Sequence, residues 1–420
     1  MPGAARADGE KLAKPTADQA AWQDCELGMF IHFGPATWQD VGEDNLSTPL
    51  DQIIPDKLDT EQWVRAAEAM GAKYIVFVAK HSGGFCWWQT DTTDYSVKNT
   101  PWRGGKGDVL AELSASCKKH GMKLGVYISP MDRKHKAAGG GRCATPELQA
   151  AYNKLYRQQL TEVLSRYGSM FEVWFDGSNV VPVGDILRQY APHAMIFQGP
   201  HATIRWVGNE DGIAPYPAWN SLSIADARSG VATARQGNPD GAAWLPNECD
   251  AEFRDAWMWN SKNAGSLKSV ERLMEIYDGS VGHGAVLLLN HSPDRTGLIP
   301  AADFERGKQF GDEIRHEFAH SLAETSGHGN MVELPLAKPA TIDRLVLMEN
   351  IVDGERVREF VVEVQHGGEW RPLFHGSAIG HKQIIRFAPT EATAVRLRVS
   401  KSAAEPEVRK LAVYEADRLR

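Results

Sequence analysis

Residues 72–88 read AKYIVFVAKHSGGFCWW. Tyr74–Ala79 is a run of β-branched and aromatic residues with no polar position on either face. A strand of that kind is covered on both sides, as strands of a parallel sheet are. Directly after it come His81, Ser82, two glycines and the pair Trp87–Trp88. Polar and aromatic groups in the loop that leaves a parallel strand belong to the C-terminal face of an α/β barrel, where such barrels bind substrate. The glycines let the loop pass close to a ligand. The competing reading is a loop that is only well packed.

The same grammar extends in both directions. Leu27–Phe33, Lys123–Ser129, Glu172–Asp176, Met195–Gln198 and Val286–Asn290 are further short apolar runs. Helical patterns separate them, over Thr60–Met70, Val109–His120 and 146–167, with Thr60 a candidate N-cap and Gly71 and Gly121 at the stop positions. Alternating strand and helix over this length predicts a (β/α)8-like barrel for residues 1–325. After a helix at 302–323 and the stretch TSGHGNM, the pattern changes. Alternating strands at 342–348, 358–365, 383–387, 394–400 and 410–415, broken by turn signals, predict a small antiparallel β-sandwich for residues 326–420.

Composition narrows the function. The 420-residue chain is 42% hydrophobic and 24% charged with net charge −8, an ordinary globular balance without the basic patch that nucleic acid requires. No apolar run is long enough for a membrane span. The polar N-terminus lacks the apolar core of a secretory leader, which fits a periplasmic or secreted chain only if the leader has been removed. Five scattered cysteines make neither a zinc ribbon nor a disulfide framework. The 13 tryptophans suit a protein that stacks indoles on sugar faces, and equally one that fills its core with them.

Three motifs carry candidate chemistry. EVWFDG ends a strand on Asp176, either a nucleophile at the barrel mouth or a helix cap. RWVGNEDG sets Glu210 in a glycine-bounded loop beside Trp206, where a partly apolar setting would hold a proton on a general acid; the rival reading is a solvated acidic turn. WLPNECD supplies Glu248 and Asp250, followed by Arg254 and Trp257, and Arg254 either binds sugar hydroxyls or pairs a charge. His316-Glu317-Phe318-Ala319-His320 matches the zinc-protease pattern HExxH but continues into no third ligand at the required spacing. The glycine runs at 104–107 and 139–141 lack the Lys-Ser/Thr of a phosphate loop. No metal or cofactor is implied.

Taken in order, GMFIHFG (28–34), AKYIVFVAKHSGGFCWWQTDTTDYSVK (72–98), GDVLAEL (107–113), GMKLGVYISPMD (121–132), YGSMFEVWFDG (167–177), IRWVGNEDG (204–212), WLPNECD (244–250) and LLLNHSPDRTGLIP (287–300) resemble glycoside hydrolase family 29, the α-L-fucosidases. The likeness spans residues 15–325 and is nearest the branch acting on α-1,3/1,4-linked fucose. It implies a retaining, exo-acting enzyme on an oligosaccharide or glycan, with Asp176 as nucleophile and Glu210 as acid/base, about 5–5.5 Å apart. It implies a sugar pocket lined by His32, His81 and Trp174, joined by Ser82, Trp88, Glu248, Arg254 and Trp257, with Glu43 matching a family Glu across a gap. Two departures bear on the sugar. The family's His-His-Asp-Gly is His81-Ser82-Gly83-Gly84 here, and its Glu-Trp-Gly is replaced by VGED (41–44). Losing a hydrogen bond to a substrate hydroxyl changes discrimination strongly, so an L-galactoside or L-glucoside is the alternative substrate, and a non-catalytic sugar binder the alternative function. The sandwich resembles a galactose-binding-like (discoidin-type) module.

Overall fold

The computed structural model describes residues 12–227 and 236–416. The first half of the N-terminal stretch read for a leader, residues 1–11, lies outside them. Eight parallel strands form the barrel sheet: β1 Leu27–Ile31, β2 Tyr74–Lys80, β3 Lys123–Ile128, β4 Glu172–Trp174, β5 Met195–Phe197, β6 Arg205–Trp206, β7 Asn247–Glu252 and β8 Val286–Asn290. Their order is β5-β4-β3-β2-β1-β8-β7-β6, and a parallel bridge from Phe197 to Ile204 closes the ring.

The apolar runs are continuous because each strand faces two cores. In β2, Ile75, Phe77 and Ala79 pack outward on the helices, while Tyr74, Val76 and Val78 fill the barrel interior. Helices Thr60–Met70 and Val109–His120 cover this outer face and end on Gly71 and Gly121, whose φ of +92° and +68° a side chain would strain. The cap of the first helix is Asp59, whose carboxylate accepts from the backbone N–H groups of Glu61 and Gln62. Thr60, the expected cap, hydrogen-bonds Ser116 instead.

Two strands escaped the sequence reading. β6 is only two residues long, and β7 carries Glu248, Asp250 and Glu252 on its inward face, so it lacks the apolar run that marks a buried strand. The link from β5 to β6 has no helix, and the link from β6 to β7 is long and, among its described residues, carries a short helix and a two-stranded hairpin. Helix Ala301–Phe318 stops short of the expected 323, so His320 lies beyond it and the HExxH residues do not share one helical face.

Six antiparallel strands make the C-terminal β-sandwich: β9 Ala323–His328, β10 Met331–Glu349, β11 Val357–His366, β12 Glu369–Gly376, β13 Gln383–Ser402 and β14 Glu407–Glu415. Their order is β9-β14-β10-β13-β11-β12. The sheet takes up the chain at Ala323, three residues before the predicted boundary. β10 and β13 are long and interrupted by register shifts, which bend them around a core of Leu345, Leu347, Val362 and Leu397. The sandwich is tied to the barrel near the N-terminal end of β1. Asp24 meets His381 at 2.9 Å and Arg409 at 2.8 Å, and Lys382 meets Glu26 at 2.5 Å. Buried Glu355 accepts from Asn220 N at 3.0 Å and Nδ2 at 2.8 Å. Among the described residues no helix is long and apolar enough to cross a membrane.

Candidate active site

Inward-facing residues near the C-terminal ends of β1, β3, β4 and β8 converge at the barrel mouth. On β3 and β4, Tyr127 and Trp174 stack at 5.7 Å, and Trp174 lies flat on Phe197 at 3.6 Å. Asp176 follows the end of β4 and is exposed. Its Oδ2 accepts from the Tyr127 hydroxyl at 2.9 Å. Across the mouth, Trp257 donates from Nε1 to Oε2 of exposed Glu210 at 3.1 Å. The indole beside Glu210 is thus Trp257; the expected neighbour, Trp206, donates to Asp250 at 2.6 Å. His32 sits between these arms, 5.9 Å from the Tyr127 ring and 5.1 Å from Trp257.

Hydrogen bonding fixes the His32 tautomer. Asn290 spends its amide N–H groups on Trp257 O and Ser292 Oγ, so its Oδ1 must accept from His32 Nδ1 at 2.9 Å. Burial, with His81 nearby, holds the His32 pKa down at about 3, so the ring is neutral and Nε2 keeps its lone pair. His81 stacks on Tyr127 at 5.5 Å, and burial lowers its pKa as well, while Asp176 and Asp44 oppose that shift. Beside His81 a small cleft is walled by Phe33, Phe85, Trp87 and Met258, with Asp44 as its carboxylate.

The structure gathers Asp176, Glu210, His32, His81, Trp174 and Trp257 in one place, with Ser82 beside His81, and commits the remaining predicted residues to partners outside it. Trp88 is wholly buried, with Nε1 bonded to Glu162 on the helix behind β2 and β3. Arg254 resolves to the charge-pair reading: its guanidinium is clamped on buried Asp303 and on Asn263 O, leaving it committed. Glu248 lies beneath Trp174 with no exposed surface. Glu43 is exposed and paired with Arg133, whereas its neighbour Asp44 is buried against the cleft and accepts from Tyr95 at 2.8 Å. Ser82 is buried, with Oγ at 3.2 Å from His81 Nδ1.

Three residues went unread: Tyr127, Asn290 and Asp44. The first two had a signal, a polar group at an inward position of an otherwise apolar barrel strand. Asp44 had none, because only the fold brings it to Gly83, where an added Cβ would lie 2.1 Å from its Oδ2.

Two open carboxyls and a girdle of aromatic and imidazole rings at the mouth of a (β/α)8-like barrel define a barrel glycoside hydrolase. The family model for α-L-fucosidase matches residues 37–316. Alpha-L-fucosidase 1 of Arabidopsis thaliana is 31% identical over 96% of this chain and 88% of its own length. Among solved structures, a glycoside hydrolase 29 family member from an unknown rumen bacterium superposes with TM-score 0.90 at 33% identity, covering 98% of this chain and 79% of that one. A Ruminococcus gnavus GH29 fucosidase, solved in complex with fucose, gives TM-score 0.87 at 27% identity over 99% and 97% of the two chains. The chain belongs to the α-L-fucosidase family, glycoside hydrolase family 29.

Proposed function

We propose that this enzyme is a retaining, exo-acting α-L-fucosidase that removes terminal α-L-fucose, α-1,3- or α-1,4-linked, from oligosaccharides or glycans. Asp176 attacks C1 and forms a glycosyl-enzyme while Glu210 protonates the departing oxygen. Glu210 then takes a proton from water, which attacks C1 and frees Asp176. One observation carries the reading. Asp176 and Glu210 are both open to solvent at the mouth, each held by an aromatic side chain that packs on His32. The Tyr127 hydroxyl donates to Asp176 Oδ2 and so orients the carboxyl for attack. Neutral His32 offers Nε2 to a sugar hydroxyl, and the apolar wall of Phe33, Phe85, Trp87 and Met258 suits the methyl group of a deoxy sugar. Residues 1–325 carry this chemistry, and we read residues 326–420 as a galactose-binding-like module.

Ser82 favours a second reading. Its hydroxyl is engaged with His81, so the donor that the family places there is absent, and an L-galactoside or L-glucoside becomes the competing substrate. Aryl α-L-fucoside, α-L-galactoside and α-L-glucoside assayed side by side decide between them. The fucoside should turn over fastest, and NMR should find the α-anomer of the sugar as first product. A β-anomer would remove the double displacement, and binding without turnover on all three would leave a sugar-binding protein.

A further inference from the structure

The catalytic reading has no use for Glu172 and Glu248, the most deeply buried carboxyls of the barrel interior. Both have no exposed surface. Glu172 opens β4 and Glu248 lies on β7, within hydrogen-bonding reach of each other. Trp22, from the helix Ala17–Gln23, donates to Glu172 Oε2 at 2.9 Å. Trp174 donates to Glu248 Oε1 at 2.8 Å, and the Tyr74 hydroxyl to its Oε2 at 3.3 Å. Among the described residues no Lys, Arg or His hydrogen-bonds either carboxyl, and Glu172 Oε1 has no donor.

Two adjacent buried carboxylates with no cation cannot both be ionised. A proton on the pair removes one charge and supplies the donor that Glu172 Oε1 lacks, as an O–H···O bond between acid and carboxylate. The cations nearest the pair bond its neighbours and not the pair itself: Lys123 Nζ lies 3.2 Å from Cys25 Sγ. Cys25, Tyr74, Cys249 and Asp250 all have their pKa pushed up, first by burial. The consequence reaches the mouth through Trp174. Its indole is tethered to Glu248, stacks on Phe197 and on Tyr127, and that same Tyr127 holds Asp176, two residues further along the chain.

We propose that Glu172 and Glu248 share a single proton and that this pair is the strut fixing the Trp174 indole, which makes both of them positioning residues for Asp176. The second half rests on the reading of Asp176 as nucleophile. The first half does not, and the two are tested separately.

Infrared difference spectra of the full-length protein at neutral pH, wild type against Glu248→Gln, test the proton. The wild type should show a protonated-carboxyl stretch that moves on deuteration and is missing from the variant. An unchanged band pattern would overturn the shared proton, whatever the protein hydrolyses. Kinetics on nitrophenyl α-L-fucoside test the strut. This leaving group departs without a proton, so Glu210 does not mask the result. In Glu248→Gln the amide donates to Glu172 and accepts from Trp174, so kcat/KM should stay within about threefold of wild type. In Glu248→Leu, checked to be folded by circular dichroism, kcat should fall by about tenfold or more with little change in KM. Wild-type kcat in folded Glu248→Leu would overturn the positioning role, as would an equal loss in Glu248→Gln. A wild type inactive on every aryl L-glycoside would sink the fucosidase reading and the positioning role with it, while the infrared result would still decide the proton.

Discussion

Glu172 opens β4 and Asp176 follows its end four residues on, yet the barrel treats them in opposite ways. Asp176 sits at the mouth, exposed, with a tyrosine hydroxyl on its carboxylate. Glu172 sits at the floor, sealed by Trp22 and faced by a second carboxyl, and burial pushes its pKa up. Their chemistry is nearly the same, and access to water differs. A carboxylate at the C-terminal end of a barrel strand stays solvated and available for attack, whereas one four residues deeper loses its water and keeps a proton. The floor can therefore hold the mouth in place, and the mouth can react.

The contrast breaks most visibly at the mouth. Asp176→Gly should lower kcat/KM on an aryl α-L-fucoside by at least about a thousandfold, with azide restoring part of it and yielding the β-azide. Near-normal turnover would remove Asp176 from the reaction. Glu210→Ala should slow an oligosaccharide substrate by about a hundredfold and the nitrophenyl glycoside far less, since general acid catalysis matters only to a poor leaving group. Equal losses on both would argue for a structural Glu210. Tyr127→Phe removes one hydrogen bond to a charged oxygen and should reduce kcat by about tenfold with Tm nearly unchanged.

The smallest expected effect sharpens the rule away from the barrel. Burial raises Glu355 to about 7 and Glu349 to about 8. Both lie above the unfolded carboxylate value of about 4.3, so the folded state binds more protons between those limits. Their stabilising contribution is complete below about pH 4.3 and is lost as pH rises through 7 to 8. Thermal unfolding should show Tm falling by a few degrees from about pH 5.5 to 8.5, and Glu349→Gln should flatten that slope. A slope identical in variant and wild type would mean that Glu349 is ionised in the folded protein.

Legibility followed the same physics. β1, β2, β3 and β8 were readable because both of their faces are apolar. β7 was not, because its inward face carries Glu248, Asp250 and Glu252, three carboxyls that look like a loop until the barrel surrounds them. Asp176 and Glu210 stood out through their place after strands and among aromatic residues. Arg254 and Trp88 were drawn into the pocket by proximity in sequence, but their partners Asp303 and Glu162 lie far along the chain and pull them into the core. Asp44 went unread beside Glu43 for a related reason: the loop at 41–47 folds so that Asp44 turns in toward Tyr95 and Glu43 out toward Arg133.

By itself, the sequence determined the alternation of strand and helix, the change to an antiparallel module, the family and the two carboxyls at the mouth. These are properties of local periodicity and of motifs set at strand ends, which need no distant partner. The tertiary structure decided which polar side chains line the cleft, which tautomer His32 adopts and which carboxyls keep a proton. Each of those depends on burial and on a hydrogen-bond partner tens to hundreds of residues away, and neither quantity exists until the barrel closes.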